Sequence, residues 1–284
     1  MRLIDAVTQG SGAVNEDGYG VIEAGGEVSA AWVFDGVTGI NGASFLPGGS
    51  DAAWLVAKAH GHLLELASGA MPLDVILATL VVRLIDDWRN AAAGLAPPAD
   101  YDPPAACLIF VKRYGDSWKA LRLGDSCLLA AYECGDHRIF AASPNNAFDH
   151  WLSREAGKRR DAGVLDIKAL LAEFRPQLIA GRAVRNRPGG YSILEADMAA
   201  LGMAEYIELG CPRKILLCTD GYYRAVDHYG LHDDRSLIDA SATEGGAARV
   251  LAGLRAVEAE DPACEKFPRF KPADDATAVM LQTI

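Results

Sequence analysis

The feature that most constrains this chain is the placement of carboxylates at the ends of short apolar runs. Ala30-Ala31-Trp32-Val33-Phe34 runs into Asp35-Gly36, and Ile215-Leu216-Leu217-Cys218-Thr219 runs into Asp220-Gly221. Near the C-terminus the order reverses, with Asp274-Asp275 immediately before Ala276-Thr277-Ala278-Val279-Met280-Leu281. Asn15-Glu16-Asp17-Gly18 precedes another strand-like piece. Runs of this length and composition read as strands, and a strand end holds a side chain where the sheet puts it. If these strands are neighbours, four acidic sites converge at one edge of the sheets. Carboxylates so close repel, and each disfavours the charged form of the next. A divalent cation such as Mg²⁺ or Mn²⁺, which prefers oxygen ligands, relieves that repulsion. Each motif alone is also what an Asp-Gly turn or a solvated strand end looks like; their joint order is harder to explain as turns.

Other strand-like pieces are Gly18 to Glu23, separated from Val28 to Phe34 by a hairpin-type Gly25-Gly26, and three runs at Ala105 to Val111, Trp118 to Leu123 and Ser126 to Tyr132. Two helices fall between: Ala52 to Leu66 behind Ser50 as N-cap, and one starting near Pro72 with Ile76, Leu80, Leu84 and Trp88 on a single stripe. Residues 91–104 read as a loop. Residues 143–200 lose this regularity and read as a mobile excursion within one domain spanning 1–284, carrying Arg154, Lys158, Arg159 and Arg160. A strand at Lys214 to Cys218, a helix bearing Ala247, Val250, Leu251, Leu254 and Val257, and a strand from Ala276 to Ile284 complete the chain. Strands at both ends with paired helices between them, and no regular βαβ alternation, predict an α+β fold with antiparallel layering.

The net charge of -11 over 284 residues argues against general nucleic-acid binding. It leaves a phosphorylated substrate open, because bound cations invert the local sign of an acidic site. The longest apolar run, Val75 to Val82, is far short of the ~20 residues that span a bilayer. The N-terminus MRLIDAVTQG has no apolar h-region. The six cysteines form no C-x-x-C pair and no zinc-like spacing, and cytoplasmic residence is the expectation. His228 and His232, followed by Asp233-Asp234, have a metal-like spacing, but Tyr229-Gly230 between them reads as a turn.

In order, Asn15-Glu16-Asp17, Phe34-Asp35-Gly36-Val37-Thr38-Gly39, Gly124-Asp125-Ser126, Thr219-Asp220-Gly221 and Asp274-Asp275-Ala276-Thr277 resemble the motifs of the metal-dependent type 2C serine/threonine protein phosphatases, in their bacterial form. The resemblance runs from about residue 8 to the C-terminus. It implies a four-layer α-β-β-α sandwich around two central antiparallel sheets, with a variable flap at about 143–200. It also implies a centre of two Mg²⁺ or Mn²⁺ ions, or three. Asp35 would bridge two ions, Asp220 and Asp274 would ligate the first, and Glu16 with the Gly36 carbonyl the second. Asp125 matches a position linked to a third, and Asp17 would support from behind. Two cations about 3.5–4 Å apart activate a water for in-line attack on phosphorus, so Asp35 and Asp220 would carry catalysis through that water. The implied partner is a phosphoprotein.

Three positions depart from the pattern. Gly12 stands where many members have a phosphate-binding arginine, and Val37 where many eukaryotic members have histidine. Arg224 stands where an acid often supplies the third ion. Arg224 is a candidate phosphate ligand, since guanidinium pairs well with phosphate, or an ordinary surface arginine. The basic residues at 154–160 with Arg182, Arg185 and Arg187 could face an acidic substrate or merely solvate the flap. The expected activity is hydrolysis of phosphoserine or phosphothreonine in proteins. The alternatives are a non-catalytic phosphoprotein-binding domain and a phosphatase of small molecules.

Overall fold

The computed structural model describes residues 1–40, 43–97, 101–141, 144–163 and 167–283. The strands are β1 (Arg2–Gln9), β2 (Gly18–Ala24), β3 (Glu27–Gly36), β4 (Ala105–Tyr114), β5 (Ser117–Leu123), β6 (Cys127–Ala131), β7 (His137–Phe140), β8 (Leu194–Glu195), β9 (Glu205–Gly210), β10 (Lys214–Cys218) and β11 (Ala276–Gln282). The helices are α1 (Asp51–Leu66), α2 (Leu73–Ala92), α3 (Pro144–Asp161), α4 (Ile167–Arg182), α5 (Asp220–Asp227), α6 (Asp234–Ser241) and α7 (Gly246–Glu260). One sheet runs β1-β11-β10-β6-β7 and the other β2-β3-β4-β5-β9, with β8 paired to β4. Every pairing between strands is antiparallel.

Side-chain alternation along the strands builds the layers. In β3, Ala31 and Val33 face the other sheet, while Ala30, Trp32 and Phe34 face α1 and α2. Ile109 and Val111 against Leu108 and Phe110 divide β4 in the same way. In β10 and β11, Ile215, Leu217, Val279 and Leu281 enter the inter-sheet core. Leu216, Cys218, Ala278 and Met280 pack under α5, α6 and α7. Three stacked apolar clusters therefore separate four layers, helix–sheet–sheet–helix, as the resemblance implied.

The helices form where local chemistry directs. The Ser50 hydroxyl accepts from the Ala53 amide and caps α1, and α2 buries Ile76, Leu77, Leu80, Val81 and Leu84 on one face. The predicted elements from β2 to β6 are found with small shifts at their ends. Residues 143–200 differ from the irregular excursion expected of them: they hold α3 and α4, which pack on each other through Leu152, Ala156, Leu170 and Phe174. Their apolar residues are sparse beside the charged ones of α3, so periodicity was weak there. Among the described residues no helix is long and apolar enough to cross a membrane.

Leu80 is fully buried and Leu64 is 46% exposed. Leu80→Ala is expected to cost about 2–5 kcal/mol in chemical denaturation, and Leu64→Ala less than about 0.5 kcal/mol.

Candidate metal centre

The acidic motifs meet where the two sheets face each other. β3 ends on Asp35-Gly36, and β10 leads through Thr219 into α5, whose first residue is Asp220. Asp274 and Asp275 lead into β11, the neighbour of β10, and Asp125 lies in the turn between β5 and β6. The glycine after each aspartate is required by close backbone approach. A Cβ on Gly36 would lie 2.5 Å from the Glu16 carbonyl oxygen, and one on Gly221 2.0 Å from that of Asp275. Side chains other than hydrogen do not fit there.

Asp35 is the electrostatic centre. Burial raises its pKa well above the ordinary aspartate value, and the charges of Asp220, Asp17 and Asp125 push it further in the same direction. Asp17 is also raised, first by burial, although hydrogen bonds from Thr219 and Thr277 favour its ionised form. Thr219 Oγ1 donates to Asp17 Oδ2 at 3.0 Å and accepts from the Thr277 amide at 3.0 Å. Asp17 Oδ1 is buried without a hydrogen-bond partner. The Cys107 thiol donates to Asp125 Oδ1 at 3.0 Å, and burial, then Asp125, keeps it protonated.

Asp274 is held differently. Its Oδ2 accepts from Arg224 at 2.7 Å, and its Oδ1 is paired with Lys271. Burial works to raise its pKa, but Lys271 and then Arg224 outweigh it and hold the carboxyl below its ordinary range. Arg224, considered as a phosphate ligand, is thus bonded to Asp274 and is not among the residues lining the cavity described below. Asp275 ties down the N-terminal loop, accepting from the Ser11 amide at 2.7 Å, its hydroxyl at 2.9 Å and the Glu16 amide at 2.7 Å.

The first two acids are held differently. Glu16, expected as a ligand, points its oxygens at Thr38 Oγ1 (2.5 Å) and the Ser50 hydroxyl at the start of α1. Asp17, expected behind the site, is the acid whose charge acts on Asp35. Glu16 nevertheless lies against Gly36, where an added Cβ would come 2.8 Å from its own Cβ. Thr219, Thr277, Asp275, Cys107 and Lys271 were missed. The two threonines carried a signal, as polar residues inside apolar runs beside an acid; Lys271 stands only three residues before Asp274, but a lone lysine in a loop carries no signal of its own. His228 and His232 take no part: His228 packs on Tyr229 and Phe267 at the end of α5.

A cavity of about 870 Å³ opens over these residues. Asp35, Gly36, Asp125, Asp220 and Asp274 line it on one side, and Phe148, Leu152, Leu171 and Leu178 of α3 and α4 on the other. The basic residues of that region are largely engaged within the protein. Lys158 pairs with Glu155, Arg159 with Glu173, and Arg182 and Arg185 with Asp102. Arg160 donates to the carbonyls of Arg269 and Phe270.

The residues fit divalent cations. The donors are all oxygens, the hard ligands that Mg²⁺ and Mn²⁺ take. Burial and then the charges of neighbouring acids raise the pKa of Asp35, and Asp17 offers a buried oxygen with no partner. Among the described residues no three His, Cys, Asp or Glu side chains stand together as a finished cage. Asp274 is turned to its two cationic partners, and its share in any such cage requires one of them to yield.

A family model described as protein phosphatase 2C matches residues 7–252. No curated protein matches the sequence. Among solved structures, the serine/threonine phosphatase PstP/Ppp of Mycobacterium tuberculosis superposes with a TM-score of 0.56 at 13% identity, covering 97% of this chain and 96% of that one. Serine/threonine phosphatase Stp1 from Staphylococcus aureus gives 0.56 at 13% identity, covering 100% and 98%. The catalytic domain of serine threonine protein phosphatase PstP in complex with two manganese ions gives 0.53 at 14% identity, covering 97% and 95%. At these identities the likeness is one of fold.

Gly221→Ala drives a Cβ into the Asp275 carbonyl, and is expected to cost about 1–3 kcal/mol by denaturant titration while lowering Mn²⁺ affinity by calorimetry. Asp35→Asn removes a charge whose folded-state pKa is raised. The raised pKa makes ionised Asp35 destabilising at neutral pH, and the penalty vanishes as pH falls below the unfolded value of about 3.9. In chelator-treated protein Asp35→Asn is therefore expected to be more stable by roughly 0.5–2 kcal/mol at pH 7, the gain fading towards pH 4 in thermal melts.

Proposed function

The chain belongs to the protein phosphatase 2C family, and from that membership and the site we infer that it hydrolyses phosphoserine or phosphothreonine in proteins with the help of Mg²⁺ or Mn²⁺. The observation that carries this reading is the set of mutually repelling carboxylates, centred on half-buried Asp35, at the floor of a cavity open to substrate. The names of the solved neighbours, serine/threonine phosphatases, and the two manganese ions in one of them support the choice of substrate and metal. Divalent cations at such a site supply Lewis acidity and lower the pKa of a water towards neutrality.

The chain's own residues do the rest. Asp35 and Asp220, fixed at the ends of adjoining elements of the two sheets, present carboxyl oxygens to the cavity. Gly36 offers its carbonyl beside them, and Asp274 contributes once it is released from a cationic partner. Thr219 holds Asp17 in one orientation through its hydroxyl, so the free Oδ1 keeps a defined direction. Cys107 does the same for Asp125. Because the carboxyls must lose protons before they bind cations, metal affinity falls with decreasing pH. The apolar wall from α3 and α4 excludes water from the opposite side of the cavity and offers surface to the residues flanking a phosphorylated side chain.

One observation favours a second reading: both oxygens of Asp274 are already neutralised by Arg224 and Lys271, as suits a domain that binds phosphoproteins without cleaving them. Turnover separates the two. The wild type is expected to hydrolyse a phosphothreonine peptide or p-nitrophenyl phosphate with added Mn²⁺, and Asp35→Asn and Asp220→Asn to lose at least about 100-fold in kcat/KM. Undiminished turnover by Asp35→Asn sinks the proposed mechanism. A wild type to which calorimetry shows no Mn²⁺ binding is the non-catalytic domain instead.

A further inference from the structure

We propose that Lys271 is the phosphate-anchoring cation of this site: an internal counter-ion of Asp274 that passes to the substrate's phosphoryl group when a divalent cation takes over the carboxylate. The inference rests on the phosphatase reading above and adds the residue that recognises the phosphate.

A phosphoryl group brings about two negative charges, and beside the bound cations a cationic side chain at the cavity wall gives it a strong charge-assisted hydrogen bond. Position 12 supplies none: Gly12 has no atom within 4 Å of where a Cβ would stand. Among the described residues that line the cavity, the cationic side chains are Arg182 and Lys271. Arg182 is committed elsewhere, one nitrogen to Asp102 and another to the Thr38 carbonyl at 2.6 Å, and its side chain is 13% exposed. Arg224 lies on the far oxygen of Asp274, away from the cavity lining. That leaves Lys271, whose side chain is 36% exposed and whose ammonium meets Asp274 Oδ1.

The backbone around Lys271 is fixed. Arg160 donates to the carbonyls of Arg269 and Phe270. Arg269 in turn bonds the Pro272 carbonyl at 2.9 Å and Asp261 at 2.6 Å. The main chain therefore holds the lysine at the cavity wall, while a flexible four-carbon stem lets its ammonium move. The same Oδ1 cannot serve an ammonium and a divalent cation at once, and the doubly charged ion is the stronger competitor for it. Arg224, bound to Oδ2, can stay and keep the carboxylate oriented. The displaced ammonium remains over the cavity, where the phosphoryl oxygens are the next anion within reach. Lys271 thus opposes metal binding and promotes substrate binding, and its removal moves the two in opposite directions. A lysine that only maintained the loop would weaken both.

The test uses the full chain, with Mn²⁺ calorimetry in the absence of substrate and steady-state hydrolysis of a phosphothreonine peptide at saturating Mn²⁺. Lys271→Gln is expected to bind Mn²⁺ about fivefold more tightly and to raise KM about tenfold, more than it lowers kcat. Lys271→Arg, which keeps the charge, is expected to hold KM within about threefold of wild type. Lys271→Ala serves as the second neutral variant should the glutamine protein fail to fold by circular dichroism. An active wild type whose neutral variants show unchanged or weaker Mn²⁺ affinity, or an unchanged KM, overturns the inference and leaves the phosphatase reading standing. A wild type that neither binds Mn²⁺ nor hydrolyses the peptide overturns both.

Discussion

Burying several carboxylates in one region is the constraint on which the rest of this molecule depends. Ionised groups removed from water and set against one another are unfavourable unless something compensates. The chain compensates in three ways. Hydroxyl and thiol donors from Thr219, Thr277 and Cys107 satisfy particular oxygens of Asp17 and Asp125. Two cations, Arg224 and Lys271, neutralise Asp274. Asp35 is surrounded instead by Asp220, Asp17 and Asp125, and burial together with their charges raises its pKa. A site that costs stability in the isolated chain and regains it on binding cations is the usual compromise between folding and function.

The sandwich makes such a site tolerable by making it rigid. The inter-sheet core of Val33, Ile109, Ile215, Leu217 and Val279 locks the two sheets together directly behind the strand ends that carry the acids. Outer clusters under α1–α2 and α5–α7 hold each sheet from its other face. The carboxylates cannot separate to relieve repulsion without disturbing one of these layers. Close passage of Gly36 past Glu16 and of Gly221 past Asp275 completes the fit, since both contacts are backbone against backbone and neither can flex away.

The arginines show how sequence position misleads about charge. A basic cluster at 154–160 followed by Arg182, Arg185 and Arg187 looks like a face for an acidic partner. Most of it is consumed internally: Arg160 braces the loop of Arg269 and Phe270, and Arg182 and Arg185 converge on Asp102. The resulting α3–α4 wall is apolar towards the cavity. Towards the cavity this region presents Phe148, Leu152, Leu171 and Leu178 rather than a broad basic surface.

By itself the sequence determined the layers and most of the acids. Alternation in the Ala30–Phe34 and Ile215–Cys218 runs, the Ser50 cap and the Ile76–Leu80–Leu84 stripe specify local structure through periods of 2 and 3.6, which are local properties. Asp35, Asp220 and Asp274 were legible because each sits beside such a run. What only the tertiary structure decided is who faces whom. Whether Glu16 or Asp17 meets Asp35 depends on the twist of an extended segment pinned by Asp275, 259 residues from Glu16. That Arg224 of α5 is a partner of Asp274, 50 residues away, follows from packing in the tertiary structure, whereas Lys271 reaches the same carboxylate from three residues before it in the same loop. α3 and α4 were unreadable because their apolar face forms against each other and against Phe270, not along a strong repeat. Short-range patterns record the elements; apart from the local Lys271–Asp274 pair, the charges that govern the site meet through long-range folding.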